Sequence, residues 1–270
     1  MVSLQSLHIY PLKSARGIDL GRAVLVPTGL DHDRHWLLVN GDGRFLTQRE
    51  QPRLALVRTA LRGTTLELTA PGLPPLIVPD DADGPARRVR IWHDDCDALD
   101  AGDAAADWAS RAIGAACRLV QFDPRQRRLS SRDWTGEVSA PNQFSDGFPL
   151  LVANRASLEE LNARLAQPLP MNRFRPNLVL AGLAAWDEDR IDEIVIGAAR
   201  LKLVKPCTRC RITTIDQESG TPAGEEPLQT LKAYRYDAAL RGILFAVNAI
   251  ILAGVGATLA AGDVAQLRWK

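Results

Sequence analysis

The chain has 270 residues, 46% hydrophobic and 24% charged, with a formal net charge of +1 and a pI near 7.7. That length suits one large or two ordinary domains with a substantial core, and the charge lacks the basic excess that a nucleic-acid polymer or an anionic membrane demands. The four cysteines, Cys96, Cys117, Cys207 and Cys210, accompany an N-terminus, MVSLQSLHIYPLKS, without a charged region ahead of an apolar one, so a reducing cytoplasm without disulfide staples is expected.

Residues 2–10 alternate as a strand does, and residues 11–17, PLKSARG, end it in a loop. Lys13 and Ser14 set a cation beside a hydroxyl there, which suits an anion as well as plain solvent. A second strand is expected at 23–27. Asp31, Asp33, Arg34 and His35 then crowd in front of an apolar strand at 36–39, and Asn40-Gly41-Asp42-Gly43 makes a hairpin turn before the polar cluster TQRE, with Arg49 and Glu50. His32 and His35 lie three apart but have no third local ligand for a metal. Further strands are expected at 54–60, 65–69, 75–78 and 88–91. Short strands punctuated by Gly, Pro and Asp suggest a barrel or sandwich.

A helix is expected at 103–113 with Trp108 on its apolar face, followed by the strand CRLVQF; Cys96 and Cys117 read as buried structural thiols. Residues 123–141 are polar and irregular, a linker or flap between two domains. The arginines of its RQRRLSSR stretch read as solvated, although a basic flap could also cover an anionic cofactor. QFSDGFPLLV then leads through Asp146 into an apolar strand, and Asn154 or Ser157 caps the helix RASLEELNARL. NRFRPNLVLAG places Arg173, Arg175 and Asn177 at the lip of a buried strand at 178–181. Late in the chain PLQTLKAYR reads as a short helix. The uncharged stretch 243–261 has the length of a membrane span, but Asn248, Gly254 and Gly256 interrupt it, so two buried strands are expected instead.

The densest chemistry is Lys205-Pro206-Cys207-Thr208-Arg209-Cys210-Arg211-Ile212-Thr213-Thr214. A zinc knuckle needs two more soft ligands, and no partner pair exists among the remaining cysteines and four histidines. A redox dithiol should sit at a helix start, whereas the β-branched run after Cys210 reads as a strand. What remains is a thiolate beside Lys205, Arg209 and Arg211. Such a thiolate can hold a soft, redox-active metal or act as a nucleophile carrying sulfur.

Seven blocks in order carry a resemblance: IYPLKSARG, DRHWLLV, LTQREQPRL, FSDGFPLLV, NRFRPNLVLAG, KPCTRCRITTID and EPLQTLKAYR. With them the chain resembles MOSC-domain proteins that carry an N-terminal MOSC β-barrel domain, the YcbX-like and mitochondrial amidoxime-reducing-component-like group. The resemblance implies a mainly β fold with some α (α+β): a barrel-like domain at 1–122 and a MOSC β-barrel with a few helices at 123–270. It implies a molybdenum cofactor (Mo-molybdopterin) with Cys210 as metal ligand and catalytic centre. Lys13, Ser14, Arg34, Arg175, Asn177, Phe148 and Arg209 would bind the cofactor, Phe148 through backbone amides, because Gly147 and Phe148 replace the hydroxyl residues that follow the aspartate in animal relatives. Asp146 would be the proton relay and Cys207 a supporting neighbour. The implied activity is reduction of N-hydroxylated compounds (hydroxylamines, amidoximes, N-hydroxylated bases) by oxygen-atom abstraction. Four cysteines cannot supply an iron–sulfur domain as well, so a separate electron donor is expected, iron–sulfur, cytochrome b5-like or flavin-containing. The alternative is a sulfur carrier or cofactor-delivery protein using the same thiol.

Overall fold

The computed structural model describes residues 1–63, 65–80 and 83–270, and strands dominate it. The opening alternation forms the strand Ser3–Ile9; a register shift between Leu4 and Ser6 lets Leu4 and Leu7, three apart, both face the core. This strand lies in a nine-stranded sheet otherwise built mostly from later residues. From one edge the order is Ile18–Leu20, Ser3–Ile9, Leu178–Ala181, Leu150–Asn154, Gly242–Ala253, Ala199–Arg209, Ile191–Ile196 and Gln266–Trp269, with Tyr236–Asp237 also pairing to Gly242–Ala253. Leu150–Asn154 and Leu178–Ala181 run parallel, joined through the helix Arg155–Asn162. As expected, Asn154 caps that helix, its side chain accepting from the Ala156 N–H.

Both faces of this sheet are buried. Leu150 and Val152 point into one apolar cluster with Leu7, Leu178 and Val247, while Leu151 and Ala153 point into another with Leu161, Phe174, Leu231 and Phe245. A strand buried on both sides reads as a continuous apolar run, as LLVAN does. A second sheet orders Trp36–Val39, Arg118–Phe122, Asp94–Asp100 and Ala86–Ile91. The helix Asp103–Ile113 packs Trp108, Ala109 and Ala112 against Trp36, Leu38 and Leu119. It stops at Gly114, whose left-handed backbone (φ 77°) lets its N–H reach the Ser110 carbonyl.

The uncharged stretch at 243–261 forms the strands Gly242–Ala253 and Thr258–Ala260. At Gly254 (φ +89°) a Cβ would stand 2.5 Å from the Ala198 carbonyl oxygen, so only glycine fits that turn. Among the described residues no helix is long and apolar enough to cross a membrane.

Three expectations need correction. The segment at 54–60 opens as a 3-10 helix, Pro52–Leu56, because Pro52 presets a helical first turn, and the strand begins only at Arg58. The β-branched run after Cys210 is a 3-10 helix, Arg211–Thr214. Thr213 and Thr214 hydroxyls donate to the Cys210 and Arg211 carbonyls (3.0 and 2.8 Å), which overrides their strand preference. Finally, Arg128 is not solvated. It is buried, bonded to the Asp94 carboxylate (2.7 Å) and to the carbonyls of Gln143 (2.9 Å) and Ser145 (2.6 Å).

Candidate functional site: a cationic cleft around Cys210

The strands Ala199–Arg209 and Gly242–Ala253 pair antiparallel, with a register shift between Pro206 and Thr208 where Ala246 takes a left-handed backbone (φ 68°). A bulge re-aims side chains. Here the consecutive residues Cys207, Thr208, Arg209 and Cys210 all line one cleft, instead of alternating away from it. The cleft encloses about 800 Å³ including its open mouth. Lys13, Ser14, Arg34, Asp146, Phe148, Arg175, Asn177, Arg209 and Cys210 all line it, though they come from loops and strands up to nearly two hundred positions apart.

Three of these residues, Ser14 (φ 65°), Arg34 (φ 51°) and Arg175 (φ 55°), have left-handed backbones without being glycine. That conformation costs about 1–2 kcal/mol each and concentrates where function fixes the chain. Arg34 and Arg175 both lie over the Tyr10 ring, at 4.3 and 4.2 Å from its centroid. Arg34 donates to Asp33 (2.6 Å) and to the Arg175 carbonyl (3.1 Å), and Arg175 donates to the Ala15 carbonyl (2.7 Å). Burial pushes the Arg175 guanidinium down to about 10 and the Tyr10 hydroxyl up to about 12.

Lys13 is buried, its side chain 7% exposed, and donates to the Phe144 carbonyl and to Asp146 Oδ1, both at 2.7 Å. Burial lowers its pKa to about 8, against the opposing pull of Asp146. The same Oδ1 accepts from Trp92 Nε1 (3.1 Å), while the Asp146 side chain stands 70% exposed in the cleft. The cleft walls would raise its carboxyl, but the charge of Lys13 and the bonds from Lys13 and Trp92 hold it well below the usual carboxylate range.

On the facing side Cys210 is exposed, and Arg49 Nη1 approaches its Sγ at 3.9 Å. Arg49 also lies over the Trp92 ring at 4.5 Å. Arg209 donates to Cys207 Sγ (2.9 Å) and the Phe174 carbonyl (2.7 Å), so Cys207 is engaged where Cys210 is open. Asn177 is a brace: its side chain accepts from Leu151 N–H (3.1 Å) and donates to the His8 carbonyl (3.2 Å), tying three strands together at the cleft floor.

Two buried donors, Arg175 Nη2 and Arg209 Nε, have no partner among the described residues. Unpaired buried donors are costly, and donors at a cleft wall are ready for an incoming acceptor. Five cations line the cleft, Lys13, Arg34, Arg49, Arg175 and Arg209, against the single carboxylate of Asp146. The arrangement suits a polyanion held by guanidinium forks beside one open thiol. Outside the cleft, His32 and His35 both approach the Asp80 carboxylate (2.9 and 3.2 Å). Burial raises the thiols of Cys96, to about 11, and Cys117, consistent with structural roles.

Sequence reasoning did not assign Tyr10, Thr47, Trp92 or Thr208 to the site. Arg49 stood in the TQRE cluster and in the block LTQREQPRL that carries the resemblance, and Asn248 in the last apolar run. Trp92 had no such signal, since a turn aromatic shows its partner only in three dimensions.

Comparison with known proteins agrees along most of the chain. The MOSC N-terminal beta barrel domain matches residues 1–116, and the MOSC domain matches residues 139–265. Mitochondrial amidoxime-reducing component 1 of Mus musculus is 38% identical over 242 residues, covering 86% of this chain and 71% of that protein. Mitochondrial amidoxime reducing component 2 of Homo sapiens is 35% identical over 242 residues, covering 86% and 72%. Among solved structures, the YUAD protein of Bacillus subtilis aligns over 100% of this chain and 97% of its own with a TM-score of 0.46 and 10% identity.

Proposed function

Because the chain belongs to the MOSC-domain family, in the form with a MOSC N-terminal beta barrel domain that includes the mitochondrial amidoxime-reducing components, we propose that it is a molybdenum-cofactor-dependent reductase of N-hydroxylated compounds. The observation that carries this reading is the convergence on one cleft of an open thiol, five cations and two unpartnered buried donors. Among the described residues no group of three His, Cys, Asp or Glu side chains could hold an ion, so a metal at Cys210 needs ligands brought with it. A pterin dithiolene brings them, and its phosphate fits the guanidinium side of the cleft.

When bound, the cofactor supplies the oxygen-accepting metal and the two-electron change. Cys210 would be its protein ligand; Arg34, Arg175 and Arg209 would hold its anionic groups; Lys13 and Ser14 would close the phosphate side. Overall, two electrons and two protons convert an N-hydroxylated base into the reduced base and water. Asp146 is held ionised and is too weak a base to pass a proton near neutral pH, so its part is to hold the Lys13 ammonium, a donor whose pKa near 8 suits proton delivery. Arg49, stacked on Trp92, keeps a positive charge near the Cys210 sulfur. The electrons come from a separate donor protein, iron–sulfur, cytochrome b5-like or flavin-containing.

The test is metal and pterin analysis of protein made in cells that synthesise the cofactor. The native chain should retain molybdenum and reduce benzamidoxime with a chemical donor. Cys210→Ala should lose both, and Cys207→Ala should keep the metal. Persulfide on Cys210 with no turnover would support sulfur delivery instead.

A further inference from the structure

A second groove adjoins the cleft. It encloses about 1150 Å³ with its open mouth, and Arg49 lines both spaces. The ridge between them is Cys210–Arg211, where the Arg211 guanidinium donates to the Arg49 carbonyl. The groove's floor is apolar: Ile215 is buried, and Leu228 and Ile243 are half-buried. Its rim is cationic. Arg211 and Lys232 line it without a carboxylate partner within 4 Å among the described residues, and Glu225 is the only carboxylate in the lining. Lys232 stands four residues after Leu228 on the helix Leu228–Arg235, so both face the same space.

An apolar floor behind the ridge that carries the open thiol, with an unpaired ammonium on its rim, fits an elongated molecule with a reacting head and a negative tail. Resting on the reductase reading, we propose that this groove binds the body of the substrate, and that the substrates are N-hydroxylated compounds whose apolar framework carries a carboxylate or phosphate. The N–O group would point toward the Cys210 end of the groove, the framework would lie on Ile215, Leu228 and Ile243, and the anion would meet Lys232. No change in the chemistry of reduction is implied.

The full, cofactor-loaded protein is assayed with reduced methyl viologen as donor, comparing benzamidoxime with its para-carboxylated form. The carboxylated compound should have a kcat/KM about threefold higher, and Lys232→Glu should lower the ratio of the two by about tenfold, since reversal turns one attraction into a repulsion. Lys232→Met should give an intermediate ratio, which guards against a misfolded charge-reversal variant. Calorimetric binding of the carboxylated compound to the unreduced protein should weaken in the same order. If the wild-type protein binds it tightly through Lys232 yet reduces neither compound, the reductase reading fails and the groove stands. Equal ratios and equal affinities in all three proteins would overturn the groove. So would a Lys232→Glu defect seen only with a protein electron donor, since that would assign the rim to donor docking.

Discussion

Lys13 and Asp146 share one proton-bearing contact at 2.7 Å, and their environments push them in ways that can be measured. Lys13 keeps its charge below a pKa of about 8, because burial outweighs the opposing carboxylate. An anion that needs the ammonium should therefore bind well at pH 7 and progressively less above pH 8, by up to about tenfold per pH unit for one proton. Asp146→Asn removes the negative charge that raises the Lys13 pKa, so this alkaline limb should move to lower pH. Binding of isolated cofactor to cofactor-free protein, followed by pterin fluorescence from pH 6 to 10, reads both effects. A limb that stays put in the variant would mean that Asp146 does not set the charge of Lys13. In the assembled enzyme the same variant should also shift the pH profile of kcat, which separates a proton-handling role from a merely steric one.

At the level of elements, local pattern made most of the chain legible. The helix Asp103–Ile113 announces itself through apolar spacing between two glycines, and Gly254 and Gly256 break an otherwise membrane-like run into two strands. The misreadings come from side chains that bond the backbone or preset it: Pro52 in one 3-10 helix, Thr213 and Thr214 in the other. The site residues were identified through resemblance, whereas their convergence depends on the bulge at Pro206–Thr208 and on left-handed Ser14, Arg34 and Arg175, features that alternation cannot encode. Arg128 shows the limit most plainly, because a surface-like run of arginines hides one strut. It joins Asp94, two residues beyond Trp92, to the carbonyls of Gln143, Ser145 and Asp146, and so fixes both elements that hold the Asp146 carboxylate. Arg128→Met should leave Asp94 and several carbonyls without their donor and cost about 3–5 kcal/mol in urea unfolding. Arg127→Met, an exposed side chain bonded only to the exposed Ser139 hydroxyl among the described residues, should cost under about 1 kcal/mol. Similar losses for the two would remove the strut.

The whole molecule is tied through its first strand. Ser3–Ile9 lies between Ile18–Leu20 and Leu178–Ala181, and Arg22–Val26 pairs with Thr258–Ala260, so the beginning of the chain completes the sheet that carries Cys210. The cleft is divided the same way: Lys13, Ser14, Arg34 and Arg49 come from the first fifth of the sequence, and Asp146, Arg175, Arg209 and Cys210 from the second half. Unfolding of the two parts should therefore be one event. Leu7 is fully buried, with Leu178 and Leu20 as its backbone neighbours, and Leu7→Ala should cost about 2–5 kcal/mol through the cavity it leaves. Because Leu7 packs in the cluster around Leu150 and Val247, that cost should appear in the near-UV signal of the second half as well as the first, within a single transition. Residues 123–270 alone would expose Leu178–Ala181 as a bare edge and strip Thr258–Ala260 of its partner, and should show no slowly exchanging amides. Two separate transitions in the Leu7→Ala protein, or a cooperatively folded fragment, would show that the halves assemble independently; the cleft would then be an interface between prefolded units, and its strained left-handed residues would need another source of support than the shared sheet.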